Sequence, residues 1–222
     1  ILQEDKMKAV LFDMDGILLD TEKIYCHFWM EAGREAGYDW KMEHSLMLRS
    51  MAPEFAEPMM KEVFGQDFDY HAVRNRRKEL MAVYMETHPV EKKPGADELL
   101  TYLKSHYFKT AVATASGETK AMTYLDEVGL LDYFDQIIST AMVPHGKPMP
   151  DVYQYACKCI GEKPEACIAL EDSPNGLMAA YRAGCLPIMV PDLSQPDEKL
   201  SRILYGKAET LTDVIPYLAA SR

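Results

Sequence analysis

The stretch Ala9-Val10-Leu11-Phe12-Asp13-Met14-Asp15-Gly16-Ile17-Leu18-Leu19-Asp20 decides how the rest of the chain is read. Ala9 to Phe12 is short and uniformly apolar, the pattern of a strand covered on both faces in a parallel sheet. Such a strand delivers the residues at its carboxyl end to the crevice where open α/β sheets hold ligands. Two carboxylates, Asp13 and Asp15, follow at once, and Gly16 lets the chain depart sharply. Keeping both carboxylates there is costly unless a cation neutralises them. The plainer reading is an acidic turn, since Asp-Gly pairs mark turns. The other strand ends decide between the two.

Short apolar runs recur at 110–114, 136–138, 167–170 and 187–190, separated by helical patterns at about 95–105, 117–128, 150–160 and 174–183. Gly129, Gly161 and Gly184 stand where helices should stop, and Pro94 and Pro150 where they should start. Strands alternating with helices imply an α/β fold with a doubly wound parallel sheet, whose carboxyl ends share one rim. Residues 21–90 break the rhythm. They hold no convincing strand, read as helical at 25–36 and 70–87 with Asp69 as N-cap, and contain Pro53 and Pro58, which leave the boundaries near 51–60 unplaced. A helical insert leaving straight after the turn at Gly16 would hang over the rim as a lid.

Composition narrows the function classes. The 222 residues carry a net charge of −11, which disfavours general nucleic-acid binding and a polybasic membrane anchor. No apolar run reaches the roughly 18–20 residues of a membrane span, and the N-terminal stretch shows no signal-peptide pattern. The five cysteines form no zinc-like pair and suit reduced, cytoplasmic thiols. Cys167 and Cys185 read as core, and Cys157 and Cys159 as packing on two sides of a helix.

Three further polar groups follow later strands. Thr114-Ala115-Ser116-Gly117 offers hydroxyls and backbone N–H groups at a helix N-terminus, a ready anion site. Lys147 lies in the proline-framed loop His145-Gly146-Lys147-Pro148-Met149-Pro150-Asp151, and Glu171-Asp172-Ser173 follows the fourth strand. Each alone has a plain reading as a cap, a solvated lysine or an acidic helix start. Together on one rim they describe a site. Asp13, Asp15, Glu171 and Asp172 would bind a hard cation such as Mg²⁺. Thr114, Ala115, Ser116 and Lys147 would hold a phosphoryl group, with Asp13 as nucleophile and Asp15 as acid and base.

The set D-x-D-G-x-L-x-D, Thr114, G-K-P-x-P-D and E-D-S resembles the haloacid dehalogenase superfamily of phosphotransferases, and more narrowly the branch holding β-phosphoglucomutase and sugar-phosphate phosphatases. The resemblance spans essentially the whole chain. It implies a Rossmann-like core of residues 1–20 and 91–222 with an inserted α-helical cap domain of residues 21–90, hinged near Thr21 and Lys92. It also implies an aspartyl-phosphate on Asp13, acid–base work by Asp15, phosphoryl binding by Thr114 and Lys147, and Mg²⁺ at Asp172, the Asp15 carbonyl and Glu171. The dehalogenases themselves lack the second aspartate of the pair, which argues against dehalogenation.

Departures from the family's mutase bear on the substrate. Tyr25 stands where the mutase has a histidine, Glu118 where it has an asparagine that helps hold a distal phosphate, and Leu48-Arg49-Ser50-Met51 where it has a glycine-containing loop. Asp20-Thr21-Glu22 is similar to the phosphatase members. The expected activity is therefore hydrolysis of a small phosphorylated metabolite, a sugar phosphate, by a monomer or weak dimer, with the mutase as the alternative. The basic run Arg74, Arg76, Arg77, Lys78 reads either as a solvated helix face or as the cap's reach to substrate; Arg76, Arg77 and Arg49 are the candidates. A catalytically silent binding protein on this scaffold would have lost one of the motif residues, and none is lost.

Overall fold

Alternation along β1 (Ala9–Phe12) sorts its side chains between two cores: Val10 and Phe12 enter one, Ala9 and Leu11 the other, and all are fully buried. This is why the segment is apolar at every position. The computed structural model describes residues 7–220. β1 pairs in parallel with β2 (Lys109–Thr114) and β4 (Cys167–Glu171). β3 (Gln136–Ser139), β5 (Leu186–Met189) and a two-residue β6 (Gly206–Lys207) complete a six-stranded parallel sheet in the order β3-β2-β1-β4-β5-β6. The order reverses direction at β1 and β4, so the ligand crevice lies at their carboxyl ends.

Helices cover both faces. α5 (Ala96–Ser105), α6 (Glu118–Glu127) and α10 (Ile215–Ala220) supply Leu99, Leu103, Leu125 and Leu218 to the core that holds Val10 and Phe12. α7 (Asp151–Ile160) and α8 (Pro174–Ala183) supply Val152, Ala156, Ala179 and Ala180 to the other. Each buried leucine is worth about 1.5–3 kcal/mol of transfer free energy. A single turn, α9 (Glu198–Ser201), packs Leu200 against Leu177 and Met189.

Residues between β1 and α5 form four helices: α1 (Glu22–Glu35), α2 (Met42–Met47), α3 (Pro53–Phe64) and α4 (Tyr70–Met85). They close around a cluster of their own, with Trp29, Trp40, Met60, Phe68 and Tyr70 at its centre. Trp29 and Trp40 stack at 5.5 Å, and the Trp40 indole N–H donates to the Ser45 hydroxyl at 2.9 Å. α3 resolves the stretch that sequence left unplaced: Pro53 opens the helix, where no N–H is needed, while Pro58 lies inside it. Asp69 caps α4 by accepting from the Ala72 N–H at 2.9 Å. Among the described residues, no helix is long and apolar enough to cross a membrane.

Candidate active site

Register builds the site. Phe12 pairs with Leu170 in β4, so Asp13 emerges beside Glu171, and the Asp13 N–H donates to the Leu170 carbonyl at 3.0 Å. Asp13 and Glu171 are then brought together by the fully buried Lys147, whose Nζ donates to Asp13 Oδ1 at 2.7 Å and to Glu171 Oε1 at 2.6 Å. Tyr153 on α7 donates its hydroxyl to the same Glu171 oxygen at 2.6 Å. Burial by itself would lower the Lys147 ammonium, but the two carboxylates outweigh it and hold its pKa above the ordinary lysine value. Asp13 is pushed well up by burial and then by the Glu171 charge, against the opposing pull of Lys147.

Asp172 lies beside this pair. Its Oδ2 accepts from Arg49 Nη1 at 3.0 Å, and both side chains are buried. Burial, opposed by Arg49 and reinforced by the Glu171 charge, pushes Asp172 up to about 7. The turn at Gly16 passes so close that a Cβ there would sit 2.7 Å from Asp172 Oδ2, and its φ of +86° is left-handed. Only glycine meets both demands.

The carboxylates fit a divalent cation. One oxygen from each of Asp13, Glu171 and Asp172 lies within 4.8 Å of the others. Asp13 Oδ2 and Asp172 Oδ1 are buried without a hydrogen-bond partner among the described residues. Buried orphan carboxylate oxygens are the acceptors a hard cation takes.

Asp15 and the second strand face this cluster. Asp15 accepts from the Thr21 hydroxyl at 2.5 Å and from the Ser116 hydroxyl at 2.9 Å. Thr114, fully buried at the end of β2, accepts from the Ser116 N–H at 3.0 Å, and Ala115 and Ser116 line the cleft beyond it. Asp13, Asp15, Thr114, Lys147, Glu171 and Asp172 thus come together from four strand ends and their loops.

The cleft holds ≈ 900 Å³ between this rim and the helices above it. Of the arginines proposed from sequence, Arg77 is buried and lines the cleft, its guanidinium 4.8 Å from the Tyr25 ring centre and 4.9 Å from that of Trp29. Arg49 lines it too, but aims at Asp172. Arg76 does not reach it. One helical position from Arg77, it lies on the outer face in exposed ion pairs with Glu35 at 2.6 Å and Glu79 at 3.2 Å. Glu118 is exposed and outside the lining, whereas Lys120 lies within it and donates to the Tyr25 hydroxyl at 2.6 Å. The charge expected from Glu118 is therefore missing from the cleft. His145 is a loop residue 3.4 Å from Glu54. Cys157 is buried and Cys159 exposed.

The family model for haloacid dehalogenase-like hydrolases matches residues 7–184, which hold β1 to β4 and the four helices over the cleft. The chain belongs to the haloacid dehalogenase-like hydrolase family. Within this family, a phosphorylated carbohydrates phosphatase of Thermotoga maritima is 29% identical over 179 residues, 80% of this chain and 82% of that protein. A fructose-1-phosphate phosphatase of Escherichia coli is 28% identical over 182 residues, 81% of this chain and 94% of that protein. The β-phosphoglucomutase of Clostridium difficile shares the fold with a TM-score of 0.81 at 20% identity, covering 97% of this chain and 96% of that one.

Sequence reading of this hydrolase missed Tyr153, Glu22 and Lys120. Glu22 is buried in the cleft, pushed well up by burial and then by Asp172 and Asp15. It starts α1 and reads as an ordinary dipole-complementing residue. Tyr153 lies on the apolar face of α7, where its pattern is that of any core aromatic.

Proposed function

We propose that this hydrolase is a Mg²⁺-dependent phosphatase that takes the phosphoryl group of a small phosphorylated sugar onto Asp13 and then gives it to water. The observation that carries the reading is the setting of Asp13: Lys147 holds one oxygen at 2.7 Å while the other, buried in the cleft, has no hydrogen-bond partner among the described residues. A carboxyl group so held is oriented for attack on phosphorus.

Asp13 attacks phosphorus, and the ester P–O bond breaks as Asp15 gives its proton to the departing sugar oxygen. Thr21 and Ser116, which donate to Asp15, fix its direction. The Thr114 hydroxyl, the backbone N–H of Ala115 and the Lys147 ammonium hold the phosphoryl oxygens. Asp13, Glu171, Asp172 and the Asp15 carbonyl would hold Mg²⁺, whose positive charge would let an anionic carboxylate approach an anionic phosphate. Asp15 then takes a proton from water, the water oxygen bonds to phosphorus, and the acyl–phosphate bond breaks to return Asp13 and release inorganic phosphate. The helices of residues 22–85 act as a cap that encloses a metabolite-sized substrate. Phosphatase names among the relatives support this reading.

One observation favours the mutase alternative: Glu118 is outside the lining, so its charge does not oppose a second phosphate. Tyr25 in the mutase histidine's place still favours release to water. The test supplies β-glucose 1-phosphate with a glucose bisphosphate primer and, separately, a panel of sugar phosphates, each with Mg²⁺ or with excess chelator. Phosphate release that chelator abolishes supports the phosphatase. Glucose 6-phosphate formed with little free phosphate would replace it with the mutase.

A further inference from the structure

In a chain of net charge −11, four cationic side chains line the cleft: Arg74, Arg77 and Lys78 from α4 above it, and Lys120 from α6 of the core. None of the four forms an ion pair with a carboxylate among the described residues, whereas their neighbour Arg76 has two. Arg77 is 7% exposed, and its Nε has no hydrogen-bond partner among the described residues. The Tyr25 and Trp29 rings hold its guanidinium in place, and Tyr25 also accepts from Lys120. Lys120 is in turn near the Tyr124 ring, at 5.0 Å.

These charges act on one another. Burial holds Lys120 below the ordinary lysine value; Asp15 pulls it back up, and Arg77 and Lys78 push it further down. Burial, and then Arg74 and Arg77, lower Lys78 in the same way. Asp15, the carboxylate that acts on Lys120, is engaged by Thr21 and Ser116. A partly buried group of like charges with no counterion is costly, and its cost falls when an anion enters.

We propose that this cluster is a second anion subsite, so that the substrate is a phosphate ester whose far end carries a carboxylate or a second phosphate. The inference rests on the phosphatase reading and names the class of substrate for that site. The scissile phosphate sits at Lys147 and Thr114, and the rest of the molecule crosses the cleft to Arg77 and Lys120. Arg77 and Lys120 are the specificity-determining pair, because burial amplifies their charge; Arg74 and Lys78, nearer solvent, add to it. A neutral sugar end would leave all four charges uncompensated beneath the helices.

The experiment compares kcat/KM, at fixed Mg²⁺, within two matched pairs: glucose 6-phosphate against 6-phosphogluconate, and fructose 6-phosphate against fructose 1,6-bisphosphate. The anionic member of at least one pair should exceed its neutral partner tenfold or more. The pair that shows the preference identifies carboxylate or phosphate as the group bound. Arg77→Gln and Lys120→Gln should each bring the ratio towards one, mainly through KM. The double variant Arg74→Gln/Lys78→Gln lies nearer the surface and guards against misfolding at Arg77; it should lower the ratio by a smaller factor. Equal turnover within both pairs would overturn the subsite while leaving the phosphatase standing, as would a preference untouched by Arg77→Gln and Lys120→Gln. Turnover of none of the four esters would overturn the phosphatase reading and the subsite with it.

Discussion

Lys147 is the side chain on which the acidic rim depends. It is fully buried and shared by Asp13 and Glu171, so its removal leaves two buried carboxylates facing each other. Breaking a buried pair of this kind costs roughly 3–5 kcal/mol. Lys147→Ala should lose that much stability in chelator by denaturant unfolding, recover part of it with Mg²⁺, and lose at least about 100-fold in kcat. Asp13→Asn is the contrasting change. It removes a carboxylate that burial and Glu171 already disfavour, so turnover should vanish while the thermal midpoint in chelator stays level or rises. A fall of several degrees would show that Asp13 serves the fold. Asp13, Glu171 and Asp172 were legible in sequence because they stand at the ends of apolar strands, and Lys147 because prolines frame its loop after the third strand. The choice between Arg76 and Arg77 was not. One position turns a helical side chain by about 100°, and α4 is basic at 74, 76, 77 and 78, so no pattern marks the face that turns inward.

Among the elements, α8 packs directly against Glu171. It begins under β4, and a Cβ at Gly176 would lie 2.0 Å from the Glu171 carboxylate. Gly176→Ala must displace that carboxylate, although alanine suits a helix better than glycine. Calorimetric titration should show Mg²⁺ affinity at least about tenfold weaker, with far-ultraviolet circular dichroism unchanged; unaltered affinity would remove Glu171 from the metal site. α8 also reaches the cap: Asn175 Nδ2 donates to the carbonyls of Arg49 at 2.8 Å and Met47 at 3.2 Å. In Asn175→Ala, amide hydrogen exchange in residues 47–52 should quicken severalfold while the sheet stays protected. Five strands and most flanking helices were readable from apolar runs punctuated by glycine and proline. β6 was not, since two residues have no periodicity to read, and α3 was obscured by Pro58 within it.

At the scale of the molecule, two apolar clusters sandwich the sheet and a third, aromatic one gathers the helices over the rim. The alternation of strands and helices made the sheet legible; the helical unit was legible as a break in that alternation and as the helical patterns of its first and last helices. Its place over the rim followed from where it leaves the chain, but the contacts that seat it did not, because they pair residues far apart in sequence. Arg49 meets Asp172, the Ala52 N–H donates to the Lys147 carbonyl at 2.9 Å, and the Gly146 N–H donates to Glu54 at 3.3 Å. These contacts tie the lid to the residues proposed to do the chemistry. The central claim is that a phosphoryl group rests on Asp13 during turnover. Acid-quenching the enzyme with Mg²⁺ and a ³²P-labelled sugar phosphate within one turnover, followed by peptide mapping, tests it most directly. Label is expected on the peptide containing Asp13, with none in Asp13→Asn and none in chelator. Turnover with unlabelled protein, or label on another residue, would contradict it.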